Sequence, residues 1–287
     1  MLPLKSLSNF YPPSWVGNVL KIRILSAAVF APVLLGLVWI GGETLKISML
    51  LLALLMAWEF FRMCGARITG PQRILGYFLT MAVACFLLGW NFGVPMIVVL
   101  PLAVLGIMVV ALWGEQSFSE RFISMGLLSL GVGYAGGLIV FLALLRDWPD
   151  HGLALTLSAL FCTWGADTGA YFCGRAFGKR KLAPMVSPNK TIEGAVGGVI
   201  AAVLVAFLIW QAFTLTIPLI WMLIIGVVAG VLGVLGDLCA SLLKRATDTK
   251  DSSQLIPGHG GVLDRFDGVM FVAPSVYCLL VLLEPWL

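Results

Sequence analysis

The residues best suited to chemistry crowd one stretch near the C-terminal end. It reads Ser241-Leu-Leu-Lys244-Arg245-Ala-Thr-Asp248-Thr-Lys250-Asp251-Ser-Ser-Gln-Leu-Ile-Pro257-Gly-His259-Gly-Gly-Val-Leu-Asp264-Arg265-Phe-Asp267. Eight charged residues fall here, in a chain with only 11% charged residues and a mean hydropathy of +1.03. Asp237, Ser241 and Lys244 are spaced i, i+4 and i+7, one face of a helix. A carboxylate, a hydroxyl and an ammonium in a row suit a metal ion and a phosphate. Asp264 and Asp267 are spaced i, i+3 and share a face if a helix starts there. Mg²⁺ favours carboxylate oxygens together with substrate phosphates and keeps several waters. The glycines flanking His259 permit close backbone approach to an anion. Plainer readings exist: an Asp237–Lys244 pair at a membrane interface, and a helix N-cap at Asp264 or Asp267. A cap, however, needs neither His259 nor Arg265 nor the glycines.

A second polar tract lies upstream. It holds Asp167, Tyr171, Gly174, Arg175, Gly178, Lys179, Arg180, Lys181, Ser187, Lys190, Thr191 and Glu193. Asp167 and Tyr171, at i and i+4, face the same way. The basic run 175–190 could cradle a polyphosphate or simply be a positive loop beside a membrane. Gly174-x-x-x-Gly178-Lys179 is one residue short of a P-loop and lacks its Ser/Thr. Ser187-x-x-Lys190 and Ser241-x-x-Lys244 spell S-x-x-K, but the S-D-N and K-T-G partners of that acyl-transfer chemistry are missing. Glu193 favours a helix N-terminus. Glu59, beside Trp58 in an apolar run, is read as structural or linked to lipid headgroups, and His151 carries no role.

The elements that must position these groups are hydrophobic. Of 287 residues, 60% are hydrophobic, against roughly 45–50% in a soluble domain. Apolar runs of about 20 residues match the hydrocarbon thickness, without the alternation of a membrane β-barrel. The expected fold is all-α and polytopic. About nine transmembrane helices are expected, near 24–42, 45–62, 74–91, 94–113, 122–145, 153–173, 194–214, 217–238 and 268–287, the eighth able to run on to Arg245. No linker divides the chain, so 1–287 is expected to be one integral membrane domain. Within it, 1–150 supply N-terminal spans and 151–287 a catalytic half with polar loops 174–193 and 241–267. The small-residue runs 194–206 and 226–236 predict close helix packing. Residues 1–20 look like an interfacial lead-in rather than a signal peptide. The six cysteines have no C-x-x-C spacing and are read as apolar fillers.

Positive charge sets the orientation. With the N-terminus inside, 16 of 18 Lys and Arg fall on the inner side, leaving only Lys46 and Arg146 outside. Both polar loops are then cytoplasmic, where nucleotides are, and the C-terminus is outside. A basic inner face attracts anionic lipid headgroups, so the net charge of +4 gives no reason to expect nucleic acid.

The stretch Ser241-x-x-Lys244-Arg245, Lys250-Asp251, Pro257-Gly-His259-Gly-Gly-Val-Leu-Asp264-Arg265-Phe-Asp267 resembles the signature of the phosphatidate cytidylyltransferases, or CDP-diacylglycerol synthases. Asp167-x-x-Ala-Tyr171, Gly174-Arg175, Gly178-Lys179, Lys181-Leu-Ala-Pro184, Ser187-Pro188-x-Lys190-Thr191 and Gly236-Asp237-Leu are similar to the same family's C-terminal half. Residues 1–150 show only a run of spans. The resemblance implies that CTP and phosphatidate are converted to CDP-diacylglycerol and pyrophosphate, a step of phospholipid biosynthesis. It implies Mg²⁺, with room for a second, monovalent cation such as K⁺. It places the metal at Asp237, Asp264 and Asp267, with Ser241 and Lys244 beside it. Phosphates are then expected on Arg245, Arg265, Lys190 and Arg175, with Ser187, Thr191, Lys179, Lys250, Tyr171 and Asp167 nearby and His259 hydrogen-bonding a phosphate or leaving oxygen. The expected setting is the bilayer of a bacterial inner membrane, and a homodimer stays open.

Rival readings are a CTP-dependent polyprenol kinase, separable by lipid substrate, and a transporter with Asp167, Glu193 and Asp237 along its path. The D-G-x2-A-R-x8-G-x3-D-x3-D pattern of CDP-alcohol phosphatidyltransferases is absent, as are the inverted repeats common in transporters.

Overall fold

The computed structural model describes residues 13–90, 93–113, 116–256, 258 and 260–283, with side chains described at Ser26 and from residue 28 onward. The chain is built almost wholly of helices. They are α1 (Pro13–Ile40), α2 (Gly42–Cys64), α3 (Gly70–Leu87), α4 (Met96–Val110), α5 (Phe118–Gly131), α6 (Phe141–Arg146), α7 (Gly152–Phe177), α8 (Ile192–Ala212), α9 (Leu219–Ala246), the single turn α10 (Leu263–Phe266) and α11 (Val269–Leu283). A π-helical turn, Val132–Gly137, joins α5 to α6. Among the described residues each of the nine expected stretches contains helix, which is not the same as nine crossings. Four segments among the described residues are long and apolar enough to cross a membrane by length and composition: Gly42–Arg67, Phe118–Arg146, Ile192–Ala212 and Leu219–Ala246. Ala28–Ile40, Met96–Val110 and Val269–Leu283 are shorter apolar helices.

The purely helical expectation needs one correction. Loop 174–193 contains an antiparallel hairpin, β1 (Lys181–Ala183) and β2 (Ser187–Thr191), with Lys181 opposite Thr191 and Ala183 opposite Ser187. Such short polar strands leave little periodic signal. The hairpin also lets α7 run on to Phe177 before the chain turns back into α8.

Local chemistry explains several boundaries. Thr69 and Gln72 form a capping box opening α3, and Ser117 and Glu120 do the same for α5. The small-residue runs act as expected. A Cβ on Gly226 would stand 2.7 Å from Val203 Cα, and one on Gly230 would stand 2.7 Å from Val199 Cα, so α8 and α9 touch backbone to backbone. α7 packs against α8, and α9 packs against α7, α8 and α11. α2, α3 and the π-turn form a second group, with Phe60 and Phe61 buried in its core.

Polar contacts pin the two ends of the bundle. At one end Arg67 donates to the Ala246 carbonyl at 2.8 Å and Gln116 donates to that of Ala66 at 3.0 Å. At the other, Arg146 donates to the Val38 carbonyl at 2.9 Å, and Lys46 pairs with Asp147 at 3.0 Å. All six cysteines are free.

Candidate active site

The site forms where α7, β2, α9, α10 and the start of α11 meet. The meeting depends on Gly236. A Cβ there would lie 2.5 Å from the Asp267 carbonyl oxygen and 3.0 Å from Phe271 Cδ2. Only glycine lets α9 approach α11 this closely, and the approach sets Asp237 beside Asp267.

The i, i+4, i+7 face of α9 holds. Ser241 Oγ donates to Asp237 Oδ1 at 3.4 Å, and Lys244 Nζ reaches Asp264 Oδ1 at 2.7 Å. Lys190, delivered by β2, forms an ion pair with Asp237 Oδ2. Asp167 lies within electrostatic reach of Asp237, Lys190 and Arg265. Asp167, Lys190, Asp237, Ser241, Lys244, Asp264, Arg265 and Asp267, 100 residues apart in sequence at the extremes, therefore form one polar centre.

Asp264 and Asp267 differ in character. Asp264 Oδ1 takes Lys244, while Oδ2 accepts Ser252 N (2.9 Å), Ser252 Oγ (3.0 Å) and Gly261 N (2.9 Å). Burial alone would raise its carboxyl, but Lys244 and the two amides outweigh burial and hold it below the ordinary carboxylate range. Asp267 accepts the amide of Gly268 at 2.8 Å. Burial, and then the neighbouring Asp237 carboxylate, push its carboxyl up.

The expected three-carboxylate metal set is not assembled. Among the described residues no three His, Cys, Asp or Glu side chains stand close enough to hold a metal ion by themselves. The oxygens of Asp264 are engaged by Lys244, Ser252 and Gly261, and those of Asp237 by Ser241 and Lys190. Asp237 and Asp267 still fit a divalent cation. They are oxygen donors, and their mutual repulsion at a half-buried position is what such a cation relieves.

Other expected residues sit further out. Thr191 is buried and accepts the Gly194 amide at 3.1 Å, so it caps α8 instead of presenting a free side chain to a ligand. Tyr171 and Arg175, both exposed, bond to each other at 3.3 Å. Lys179, Arg245 and Lys250 are exposed, and Ser187 is half-buried in β2. His259 lies outside the described residues, as do residues 1–12 and 284–287 that carry the chain ends.

Two contributions escape a reading of the sequence. Glu193 accepts the amides of Lys179 (3.0 Å) and Arg180 (3.2 Å), stitching the entry of the hairpin to the start of α8. Glu59 on α2, with 0% of its surface exposed, accepts Ser253 Oγ (2.6 Å), Val262 N (2.8 Å), Leu263 N (2.7 Å) and Ser252 Oγ (3.0 Å). Three donors serve this carboxylate alone, and the fourth, the single Ser252 proton, is shared with Asp264 Oδ2. Glu59 is thus structural, as expected, but what it structures is the loop that carries Asp264. An apolar groove of about 650 Å³ between α7 and α8, lined by Phe161, Trp164, Phe172, Leu204 and Leu208, contains no titratable side chain and stands apart from this centre.

Comparison with known proteins identifies the family. The model of the cytidylyltransferase family matches residues 21–283. A phosphatidate cytidylyltransferase of Bacillus subtilis (strain 168) is 35% identical over 269 residues, covering 92% of this chain and 98% of its own. That of Haemophilus influenzae is 36% identical over 282 residues (89% and 96%), and that of Brucella suis 34% over 262 (90% and 92%). The apolar helices and this kinship make the chain an integral membrane protein. Across nearly its whole length, including every residue of the polar centre, the chain belongs to the cytidylyltransferase family.

Proposed function

We propose that this membrane enzyme transfers the cytidylyl group of CTP to phosphatidate, giving CDP-diacylglycerol and pyrophosphate, with Mg²⁺ as cofactor. The observation that carries the reading is the pairing of carboxylates with ammonium groups in one centre: Asp237 with Lys190, and Asp264 with Lys244. Both substrates are polyanions, so the site must neutralise charge and align two phosphates more than move protons.

A phosphatidate oxygen forms a bond to the α-phosphorus of CTP while the bond to the bridging oxygen of the β-phosphate breaks. The pyrophosphate leaves with that electron pair. The phosphate nucleophile is already ionised, so no strong base is required. Asp237 and Asp267 would hold Mg²⁺, with Asp237 giving up Lys190 and Asp264 joining them by giving up Lys244. When bound, the ion neutralises phosphate charge and orients the reacting oxygens. Lys190 and Lys244 are placed to take phosphate oxygens. Arg265 and Arg245, with the exposed Arg175, Lys179 and Lys250, supply further positive charge for CTP or pyrophosphate. His259 is assigned a hydrogen bond to a phosphate. A monovalent cation such as K⁺ can accompany Mg²⁺.

The full proposal keeps nine spans, cytoplasmic loops and N-terminus, an external C-terminus, and a bacterial inner membrane. The charge distribution supports it, with Arg67 and Arg146 at opposite ends of the bundle. A homodimer is compatible with this arrangement. The test is pyrophosphate release by purified protein. Release should need CTP, phosphatidate and Mg²⁺ together, and release without phosphatidate would defeat the reading.

A further inference from the structure

The π-turn of the N-terminal half has the sequence Val-Gly-Tyr134-Ala-Gly-Gly. Such turns interrupt a helix at a cost and recur at functional sites. Tyr134 is only 6% exposed, and among the described residues its hydroxyl has no hydrogen-bond partner. An unpaired buried hydroxyl is unfavourable, and phenylalanine would fill the same space without that cost.

Its surroundings indicate a use. The Tyr134 ring packs edge-on against Phe271 of α11, with centroids 6.4 Å apart and planes at 69°. Phe271 is the ring that presses on Gly236, next to Asp237. The Tyr134 hydroxyl lies within electrostatic reach of Asp267, Asp264 and Asp237. An unused donor therefore stands at the α9–α11 junction, where the acidic centre is built.

We infer that the Tyr134 hydroxyl donates a hydrogen bond to a phosphate oxygen of the substrate held at the Asp237–Asp267 centre, making it a substrate-binding residue supplied by the N-terminal half. The inference rests on the proposed phosphate chemistry of that centre. It also gives residues 1–150 a direct part in the reaction.

The test compares the full-length wild type, Tyr134→Phe and Asp237→Asn in detergent. Thermal inactivation is measured without metal or substrate, and kcat and KM are measured for CTP and for phosphatidate. The Phe variant should be as heat-stable as wild type or more so, yet lose about tenfold in kcat/KM, as for a hydrogen bond to a charged group. The substrate whose KM rises identifies the phosphate contacted. Unchanged kcat/KM in Tyr134→Phe, or a loss matched by a lower inactivation temperature, overturns the inference. If Asp237→Asn abolishes turnover while Tyr134→Phe is normal, only this inference fails. If both variants are normal, the reading of the centre fails with it.

Discussion

Glu59 and Asp264 share one hydroxyl. Ser252 Oγ lies 3.0 Å from Glu59 Oε2 and 3.0 Å from Asp264 Oδ2. The first carboxylate is on a helix of the N-terminal half, and the second pairs with Lys244 in the polar centre. Through Ser252 the buried end of α2 sets the position of the loop that carries Asp264.

This link makes Glu59 a positioning residue. Glu59→Gln keeps the volume but turns an NH₂ group toward donors now held by an oxygen. Hydrogen bonds to charged groups contribute about 1.5–3 kcal/mol, so kcat should fall roughly 10- to 100-fold. Ser252→Ala should lower kcat by a smaller factor. If both act through Asp264, the double variant should lose less than the product of the two single losses. Independent losses in a double-mutant cycle of kcat would refute the coupling.

Asp237 carries the heaviest burden, because it meets Lys190 and Ser241 and crowds Asp267. Asp237→Asn should reduce kcat by about 10²- to 10³-fold, the scale for losing one preorganised charge at a transition state. The Mg²⁺ concentration for half-maximal activity should rise. Magnesium titrations of the residual activity check this, and an unchanged midpoint would remove Asp237 from the metal site.

Lys190 reaches the centre only because the hairpin delivers it. Lys190→Met should lower kcat by about 10²-fold, and Lys190→Arg should restore part of it. Arginine has the same charge and a different shape. Equal loss in both variants would mean that geometry at Asp237, not charge, is what Lys190 provides.

Asp264 and Asp267 should respond to pH with opposite sign. Asp264 is held below its ordinary value of about 3.9. Its contribution to stability is therefore complete above about pH 4 and is lost as pH falls through the lower folded value. Asp267 is pushed up, chiefly by burial and then by Asp237. Its cost appears as pH rises above about 4 and the unfolded chain ionises first. In metal-free protein at neutral pH, Asp267→Asn should thus raise the thermal inactivation temperature while suppressing turnover. Asp264→Asn should lower that temperature. The Asp267→Asn gain should shrink as pH falls toward about 4, whereas the Asp264→Asn deficit should persist down to about pH 4 and shrink only below it. Inactivation midpoints of the three proteins from about pH 8 to about pH 3 check this, and an Asp267→Asn gain independent of pH, or an Asp264→Asn deficit already lost above about pH 4, would contradict it.

The polar centre is largely legible in the sequence because charge is so scarce elsewhere. Asp237, Ser241 and Lys244 follow from helical spacing alone, and the helices follow from the apolar runs. Glu59 is harder to place, because its partners lie 193 to 204 residues away and nothing local names them. Tyr134 sits in an apolar run where an aromatic ring needs no special explanation; only its unpaired hydroxyl marks it. Thr191 is expected near a phosphate, but it caps α8 instead, because a hydroxyl just before a helix start bonds the nearest free amide. The sequence makes Asp264 and Asp237 the main metal carboxylates with Asp267 assisting, and nothing in the spacing tells that Asp264 bonds Ser252 and Gly261 as well as Lys244.

The most direct measurement follows label from CTP into chloroform-soluble lipid with purified protein, using α- and γ-labelled CTP in parallel. Phosphatidate or polyprenol is supplied, with and without Mg²⁺. The expected result is α-label in lipid only with phosphatidate and Mg²⁺, and γ-label released as pyrophosphate. Transfer of γ-label to polyprenol, or no lipid labelling by intact folded protein, would contradict cytidylyl transfer to phosphatidate.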